Sequence, residues 1–125
     1  MVIHESGENY LEAILNIRER TGKCRSVDIA KELGFSKPSV STMIRDLREH
    51  GFIEIDKFND ISLTESGMQI ATSISERHEI IAKVLTMLGV PNDIDLTDAC
   101  KIEHDLSPET FECMKNFLEN HPKGK

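Results

Sequence analysis

Apolar residues recur every three or four positions along most of the chain, which is the spacing of an amphipathic helix. This pattern predicts a first helix over roughly residues 7–21 and a second helix that is capped by Ser26 and ended by Gly34. A third helix is predicted to begin at Ser36. Only residues 34–36 separate the second and third helices, a tight turn that is typical of a helix-turn-helix.

The hydrophobic period changes after Gly51, where the third helix is predicted to end. Apolar and polar residues then alternate over residues 52–63, with an interruption at Asn59 and Asp60, so a short β-hairpin is predicted. Three helices followed by a hairpin are the elements of a winged helix-turn-helix domain. The same order also occurs in adaptor domains that do not bind nucleic acid, so element order alone leaves both functions open.

The remainder of the chain returns to helical spacing. Thr64 is predicted to cap a long helix, a further helix extends to about Asp105, and Ser107 caps a last one. The predicted fold is mainly α, with a winged helix-turn-helix domain over residues 1–65 followed by a helical domain over residues 66–125. No apolar run approaches the roughly 20 residues that a membrane span requires, so no membrane partner is expected.

Charge is distributed unevenly along the chain, whose net charge is −7. Residues 18–57 carry nine basic and seven acidic side chains, a balance of +2, whereas the remaining residues have a balance of −9. A basic N-terminal lobe on an acidic protein is compatible with polyanion binding through that lobe alone. Chance clustering on a solvated surface explains the same balance equally well.

The solvent side of the predicted third helix is rich in hydroxyl groups and cations. Small hydroxyl residues let a helix sit deep in a major groove, where flanking cations meet phosphates. The plain alternative is a capped helix start followed by a polar face. The candidate DNA-contacting residues, which include two at the hairpin tip, are Arg25, Ser36, Lys37, Pro38, Ser39, Ser41, Thr42, Arg45, Lys57 and Asn59.

Donor groups for a metal ion occur on three of the predicted helices, several at spacings that place them on one helix face. Burying a carboxylate beside a thiol and an imidazole is costly without a cation. Borderline ions such as Fe²⁺, Co²⁺, Ni²⁺ and Zn²⁺ accept mixed O, N and S donors, whereas Mn²⁺ prefers oxygen with some imidazole. Each residue taken singly also has an ordinary structural explanation. The candidate ligands are Asn9, Glu12, His78, Cys100, Glu103 and His104.

Three cysteines, an odd number with no CxxC pair, argue for a reducing compartment, and we expect a cytoplasmic protein. Redox sensing is an alternative to metal binding at these residues. In a redox-sensing winged helix, Cys100 is oxidised and no metal takes part, since a thiolate near His104 could have a lowered pKa. An enzyme that uses these two residues as nucleophile and base is not expected, because the sequence offers no oxyanion site and no Gly-rich loop.

Five segments also carry a family resemblance: ENYLEAI, SVDIAKELGFSKPSVSTMIRDL, GFIEIDKFNDISLTESG, RHEIIAKVLTMLGV and IEHDLS. In order and spacing they resemble the metal-dependent repressors related to the diphtheria toxin repressor and the manganese transport regulator, over about residues 5–120. The resemblance implies that residues 1–65 form a DNA-binding domain and that residues 66–125 form an α-helical metal-binding and dimerisation domain. It also implies a homodimer that binds a palindromic operator in double-stranded DNA when metal is bound, and so controls iron or manganese homeostasis genes. A chain that ends at Lys125 resembles the short members without an SH3-like domain.

The same resemblance implies a metal between the first helix, the long helix and the CKIEH helix. Asn9 and Glu12 fall where the first-helix ligands lie, His78 matches the long-helix histidine, and Glu103 and His104 match the paired ligands of the dimerisation domain. Glu12 is a feature of the manganese-type members. Asn9 matches neither branch, which use methionine or aspartate at this position.

Cys100 is the position that bears on which metal is bound. It stands where iron-type members have cysteine and manganese-type members have glutamate, whereas Ala82 lacks the acid of the iron-type ancillary site. A thiolate favours Fe²⁺ over Mn²⁺ because sulfur is a soft ligand. The expected cofactor is therefore a divalent transition metal, Fe²⁺ ahead of Mn²⁺, with Zn²⁺, Co²⁺ or Ni²⁺ able to bind in vitro.

Overall fold

A computed structural model describes residues 5–103 and 105–120 of the chain, with only the backbone described at residues 5, 92, 95–97 and 100. The chain divides between Ser73 and Ile74 into two compact units, here called the N-terminal unit and the C-terminal unit. The elements are α1 (Glu5–Thr21), α2 (Ser26–Leu33), α3 (Lys37–Glu49), β1 (Ile53–Ile55), β2 (Ile61–Leu63), α4 (Glu65–Met87), α5 (Asn92–Ile102) and α6 (Pro108–Asn120).

The N-terminal unit is built on one hydrophobic core to which all three of its short helices and the hairpin contribute. The apolar stripes that the sequence predicts are the buried faces of α1, α2 and α3. The predicted winged helix-turn-helix is therefore confirmed. The core residues include Tyr10, Leu11, Ile14, Ile17, Ile29, Val40, Ile44, Leu47, Ile53 and Ile61.

The start of α2 differs from the prediction that Ser26 is its N-cap. The N-cap is Arg25, whose backbone N–H donates to Asp28 Oδ2 at 2.9 Å, and Ser26 is the first helical residue. The reason is that a carboxylate three residues into the helix accepts this N–H, so the boundary forms without a capping hydroxyl. Arg25 is thereby fixed at the exposed beginning of α2.

The turn between α2 and α3 has the predicted length and chemistry. Gly34 adopts the left-handed conformation (φ 72°) that favours glycine, and its N–H bonds to the carbonyl of Ala30 at 2.9 Å. Ser36 then caps α3 through its hydroxyl, which accepts the N–H of Ser39 at 3.3 Å. The turn therefore sets the direction in which α3 leaves α2.

The hairpin of β1, β2 and their connection, here called the wing (Ile53–Leu63), is antiparallel. Ile53 lies opposite Leu63, and Ile55 lies opposite Ile61. The turn contains a left-handed residue, Asn59 (φ 64°), at the position predicted to interrupt the strands.

A partly buried polar network attaches the wing to the end of α1 and to the loop that follows. Arg18 Nη1 donates to both carboxylate oxygens of Asp60, at 3.0 and 3.1 Å, and to the carbonyl of Ile61 at 3.0 Å. Asp60 also accepts the backbone N–H of Cys24 at 2.9 Å, and the N–H of Ile61 donates to the carbonyl of Cys24 at 2.7 Å. The hydrogen bond from Cys24 N–H and the bond to Arg18 lower the pKa of Asp60.

The junction between the wing and α4 leaves no room for a side chain at Gly67. Thr64 caps α4 as predicted, accepting the N–H of Gly67 at 3.2 Å while its hydroxyl donates to the carbonyl of Gly51 at 2.6 Å. A Cβ atom at Gly67 would overlap the carbonyl oxygen of Phe52. The backbone of α4 therefore passes directly against the backbone that leads into the wing.

In the C-terminal unit, α5 ends at Ile102, three residues before the predicted end near Asp105. Glu103 is its C-cap, and its N–H still bonds to the carbonyl of Ala99 at 3.0 Å, so the backbone keeps its helical course through this residue. Ser107 caps α6 as predicted, accepting the N–H of Thr110 at 3.2 Å. No helix in the described part of the chain has the length and apolar character needed to span a bilayer.

Candidate metal centre and DNA-binding surface

The C-terminal unit contains a buried acid next to a histidine. Glu103 has no solvent-exposed surface, and its Oε2 lies 3.5 Å from Nδ1 of His78 on α4. His78 is half-buried, with 27% of its side chain exposed. The helical course of α4 and the capped end of α5 thus bring together two of the six residues predicted to bind metal.

Arg77, the residue before His78 on α4, binds the backbone of Glu103. Its Nη1 donates to the carbonyl of Glu103 at 3.0 Å and to the carbonyl of Leu106 at 3.5 Å, and its guanidinium lies 5.3 Å from the ring centroid of Phe111. Consecutive residues of α4 therefore fix Glu103 at its main chain and contact it at its carboxylate. Arg77 is not among the site residues predicted from the sequence, because only the end of α5 reveals which carbonyls it reaches.

This pair suits a divalent cation. A carboxylate oxygen and an imidazole nitrogen are ligands common to Mn²⁺, Fe²⁺ and Zn²⁺ sites. A buried carboxylate is costly unless it is neutralised or well paired, and a bound cation neutralises it. The burial of Glu103 beside His78 is therefore an observation of the structure that fits a metal centre.

The other predicted ligands are placed differently. Asn9 and Glu12 are half-buried residues of α1 in the N-terminal unit, three positions apart as predicted. The backbone of Cys100 belongs to α5, but its side chain and the whole of His104 lie outside the described residues. Ligation by any of the six residues stays a prediction.

Every candidate DNA-contacting residue is exposed on the N-terminal unit. Seven lie at the start of α3 or along it, Arg25 begins α2, and Lys57 and Asn59 are at the tip of the wing. The exposed residues at the cap and along α3 are Ser36, Lys37, Pro38, Ser39, Ser41, Thr42 and Arg45.

Some of the hydroxyl groups of α3 also support the helix itself. Ser36 Oγ donates to Ser39 Oγ at 2.9 Å, and Thr42 Oγ1 donates to the carbonyl of Pro38 at 3.0 Å. The plain explanation, a capped and hydroxyl-rich first turn, is therefore correct for part of this set. The exposed cations Lys37 and Arg45 have no such role in the helix.

A winged helix followed by a helical unit with a buried carboxylate and imidazole is the arrangement of a metal-responsive DNA-binding regulator. The family model "Iron dependent repressor, N-terminal DNA binding domain" matches residues 3–59, and "Iron dependent repressor, metal binding and dimerisation domain" matches residues 64–124. The chain belongs to the iron-dependent repressor family. The predicted family and its class, a metal-dependent transcriptional repressor, are thereby confirmed, whereas the domain boundary between residues 65 and 66 stays a prediction.

Individual relatives agree with the family assignment. The chain is 35% identical to the transcriptional regulator MntR of Escherichia coli O6:H1 over 114 residues, which are 91% of this chain and 74% of that protein. It is 33% identical to the HTH-type transcriptional regulator MntR of Listeria welshimeri, covering 94% of this chain and 84% of that one. The solved structure of the manganese regulator SloR is similar with a TM-score of 0.80 and 30% identity, over 98% of this chain and 56% of that chain.

Proposed function

We propose that this protein is a homodimeric repressor that binds a palindromic operator in the cytoplasm when a divalent metal is bound, and so controls genes of iron or manganese homeostasis. The observation that carries the proposal is the buried carboxylate of Glu103 at 3.5 Å from His78. A bound cation would neutralise this buried carboxylate. Both residues lie in the part of the chain that matches the family's metal-binding domain.

The proposed ligands are His78 and Glu103 together with the four that the family resemblance implies. When bound, the metal would supply positive charge that offsets the clustered carboxylates. Glu103 is held for this role at its carbonyl by Arg77. Asn9 and Glu12 belong to the DNA-binding domain, so their participation would link metal binding to the placement of α3. The ligand set is Asn9, Glu12, His78, Cys100, Glu103 and His104.

This linkage would work as a difference in affinity. Metal activates DNA binding only if the ligands bind it more tightly in the conformation that is competent for DNA than in the other conformations. In a homodimer, that conformation places two recognition helices about 34 Å apart, one turn of B-DNA, so that they enter successive major grooves of a palindrome. The exposed residues Lys37 and Arg45 would then contact phosphates and base edges.

The activity test measures DNA binding by fluorescence anisotropy for the wild type and for Glu103→Gln, with Mn²⁺, anaerobic Fe²⁺, Zn²⁺ or a chelator. We expect the wild type to bind DNA tightly only when metal is present. The DNA affinity of Glu103→Gln should change little when metal is added. Glu79→Gln is the matched control, because Glu79 is an exposed acid on α4, the helix that carries His78. DNA affinity that is unchanged after complete metal removal would contradict the proposal.

For the metal, we propose Fe²⁺ ahead of Mn²⁺, on the softness of a Cys100 thiolate. The names of the relatives favour Mn²⁺, so Mn²⁺ is the competitor to measure. Cys100→Glu should raise the affinity for Mn²⁺ relative to Fe²⁺, and a preference unchanged by this substitution would refute the role of the thiolate. Release of DNA by peroxide, with no effect of a chelator, would instead support redox sensing by Cys100.

A further inference from the structure

The tip of the wing carries an exposed aromatic residue, Phe58, at 64% exposure. A single exposed apolar side chain is ordinary on a protein surface. This one stands between Lys57 and Asn59, two residues predicted to contact DNA, and it lies within the part of the chain that matches the family's DNA-binding domain. Its position therefore raises the question of what the ring contacts.

The backbone around Phe58 is tightly organised. Asp56 Oδ1 accepts the N–H of Phe58 at 2.8 Å and the N–H of Asp60 at 3.0 Å, and the carbonyl of Asp56 accepts the N–H of Asn59 at 3.0 Å. The wing is in turn attached to α1 through Arg18 and Asp60. The ring is thus displayed on a preorganised tip, which lowers the entropy cost of using it in a complex.

The charges at the tip do not favour a purely electrostatic contact with phosphates. Asp56 and Asp60 are acidic, and Lys57 is the cation among residues 56–60. The two carboxylates are bonded to backbone N–H groups or to Arg18, and the ammonium of Lys57 lies 5.3 Å from the centroid of the Phe58 ring. The attraction of Lys57 to phosphates and the repulsion by Asp56 and Asp60 therefore nearly offset each other. The main surface that the tip presents to a binding partner is apolar.

We propose that Phe58 is a DNA-contacting residue whose ring packs against deoxyribose and base edges in a minor groove. This minor groove adjoins the major groove that the recognition helix, α3, enters. Proteins that bind the minor groove use apolar side chains, phenylalanine among them, as wedges at base steps. The contact adds affinity that does not depend on counterion release, and Lys57 beside the ring reaches the phosphate backbone. The inference rests on the DNA-binding function proposed above.

The test uses the Mn²⁺-loaded full chain and a duplex that the wild type has selected from a random pool. DNA affinity is measured by anisotropy at several salt concentrations for F58A, F58Y, K57Q and M68A. Met68 is the control because it is also an exposed apolar residue of the N-terminal unit, at 43%, but lies on α4. Circular dichroism and thermal melting of each variant establish that the fold is unchanged.

We expect F58A to lose at least about tenfold in affinity, as removal of a buried aromatic ring from an interface should, with an unchanged slope of log affinity against log salt. F58Y and M68A should bind like the wild type, and K57Q should reduce the slope by about 0.9, the value for one neutralised phosphate. Wild-type affinity for F58A overturns the inference, as does a slope for F58A that falls like that of K57Q. If the wild type selects no duplex, it is the proposed function that fails.

Discussion

Arg77 donates a 3.0 Å hydrogen bond to the main-chain carbonyl of Glu103, while the next residue of α4, His78, lies 3.5 Å from the Glu103 carboxylate. Arg77→Met removes the guanidinium, with its bonds to two carbonyls and its contact with the Phe111 ring. Loss of a partly buried, charge-assisted hydrogen bond costs about 2 kcal/mol. We expect urea denaturation of metal-free Arg77→Met to show a free energy of unfolding that is lower than that of the wild type by this amount. Calorimetry should show weaker Mn²⁺ binding by the variant.

The matched control for Arg77 is its neighbour Glu76. This acid pairs at 3.5 Å with Lys115, and both side chains are substantially exposed. Glu76→Gln should therefore change the free energy of unfolding by no more than about 0.5 kcal/mol, and leave Mn²⁺ binding as it is. If Arg77→Met and Glu76→Gln lose equal amounts of unfolding free energy and of Mn²⁺ affinity, Arg77 has no special part in holding Glu103.

Glu103→Gln separates metal binding from folding. The amide keeps the shape of the buried side chain but removes its charge, so the metal-free variant should be no less stable than the metal-free wild type. Mn²⁺ at about 100 times its dissociation constant should stabilise the wild type by about 2.7 kcal/mol and should not stabilise the variant. Thermal melts with and without Mn²⁺ measure both effects, and a variant stabilised as much as the wild type would exclude Glu103 as a ligand.

Asp60 makes the stability of the N-terminal unit depend on pH. Its pKa is lowered in the folded protein, first by the N–H of Cys24 and then by Arg18. The ionised carboxylate therefore contributes stability above its ordinary range near pH 3.9, and this contribution is lost as the pH falls through the lowered pKa. Asp60→Asn should melt at a lower temperature than the wild type at pH 7, with the gap narrowing in acid. A gap that is constant from pH 7 to pH 2 would contradict this.

The thiol of Cys24 should be unreactive in the native protein. Burial, followed by the nearby charge of Asp28, raises its pKa to about 12, and the thiolate is the reactive form. Brief treatment with iodoacetamide at pH 8 should modify the exposed Cys113 and leave Cys24 unmodified until urea unfolds the chain. Mass spectrometry of the peptides distinguishes the sites. Native modification of Cys24 at the rate of Cys113 would show that the core of the N-terminal unit opens readily.

Periodicity and capping residues sufficed to predict the winged helix and the later helices, because the apolar spacing of each segment matches its buried face. Ser36, Thr64 and Ser107 cap helices as expected, since the hydroxyl in each case precedes its helix directly. The N-cap of α2 is Arg25 and not the predicted Ser26, because the group that satisfies the helix end is the carboxylate of Asp28, which accepts the N–H of Arg25. Local rules identify the boundary here only to within one residue.

Less of the candidate site could be predicted from the residues alone. Spacing suggested that Cys100 and Glu103 share a helix face, but the burial of Glu103 and its proximity to His78 come from the packing of α4 against the end of α5. The role of Arg77 depends on where α5 ends, which the hydrophobic pattern placed near Asp105 instead of Ile102. Contacts between residues 26 positions apart, such as Arg77 with Glu103, leave no signal in local periodicity.

The lack of space at Gly67 restricts how this regulator can be altered by evolution or by engineering. Any side chain at Gly67 meets the carbonyl of Phe52, so the wing and the first turn of α4 cannot be exchanged separately for those of another protein. A chimera that takes a foreign wing must take the glycine and its neighbouring backbone with it. The useful breakpoint for such hybrids therefore lies on the C-terminal side of Gly67, within α4, and not at the loop where the wing ends.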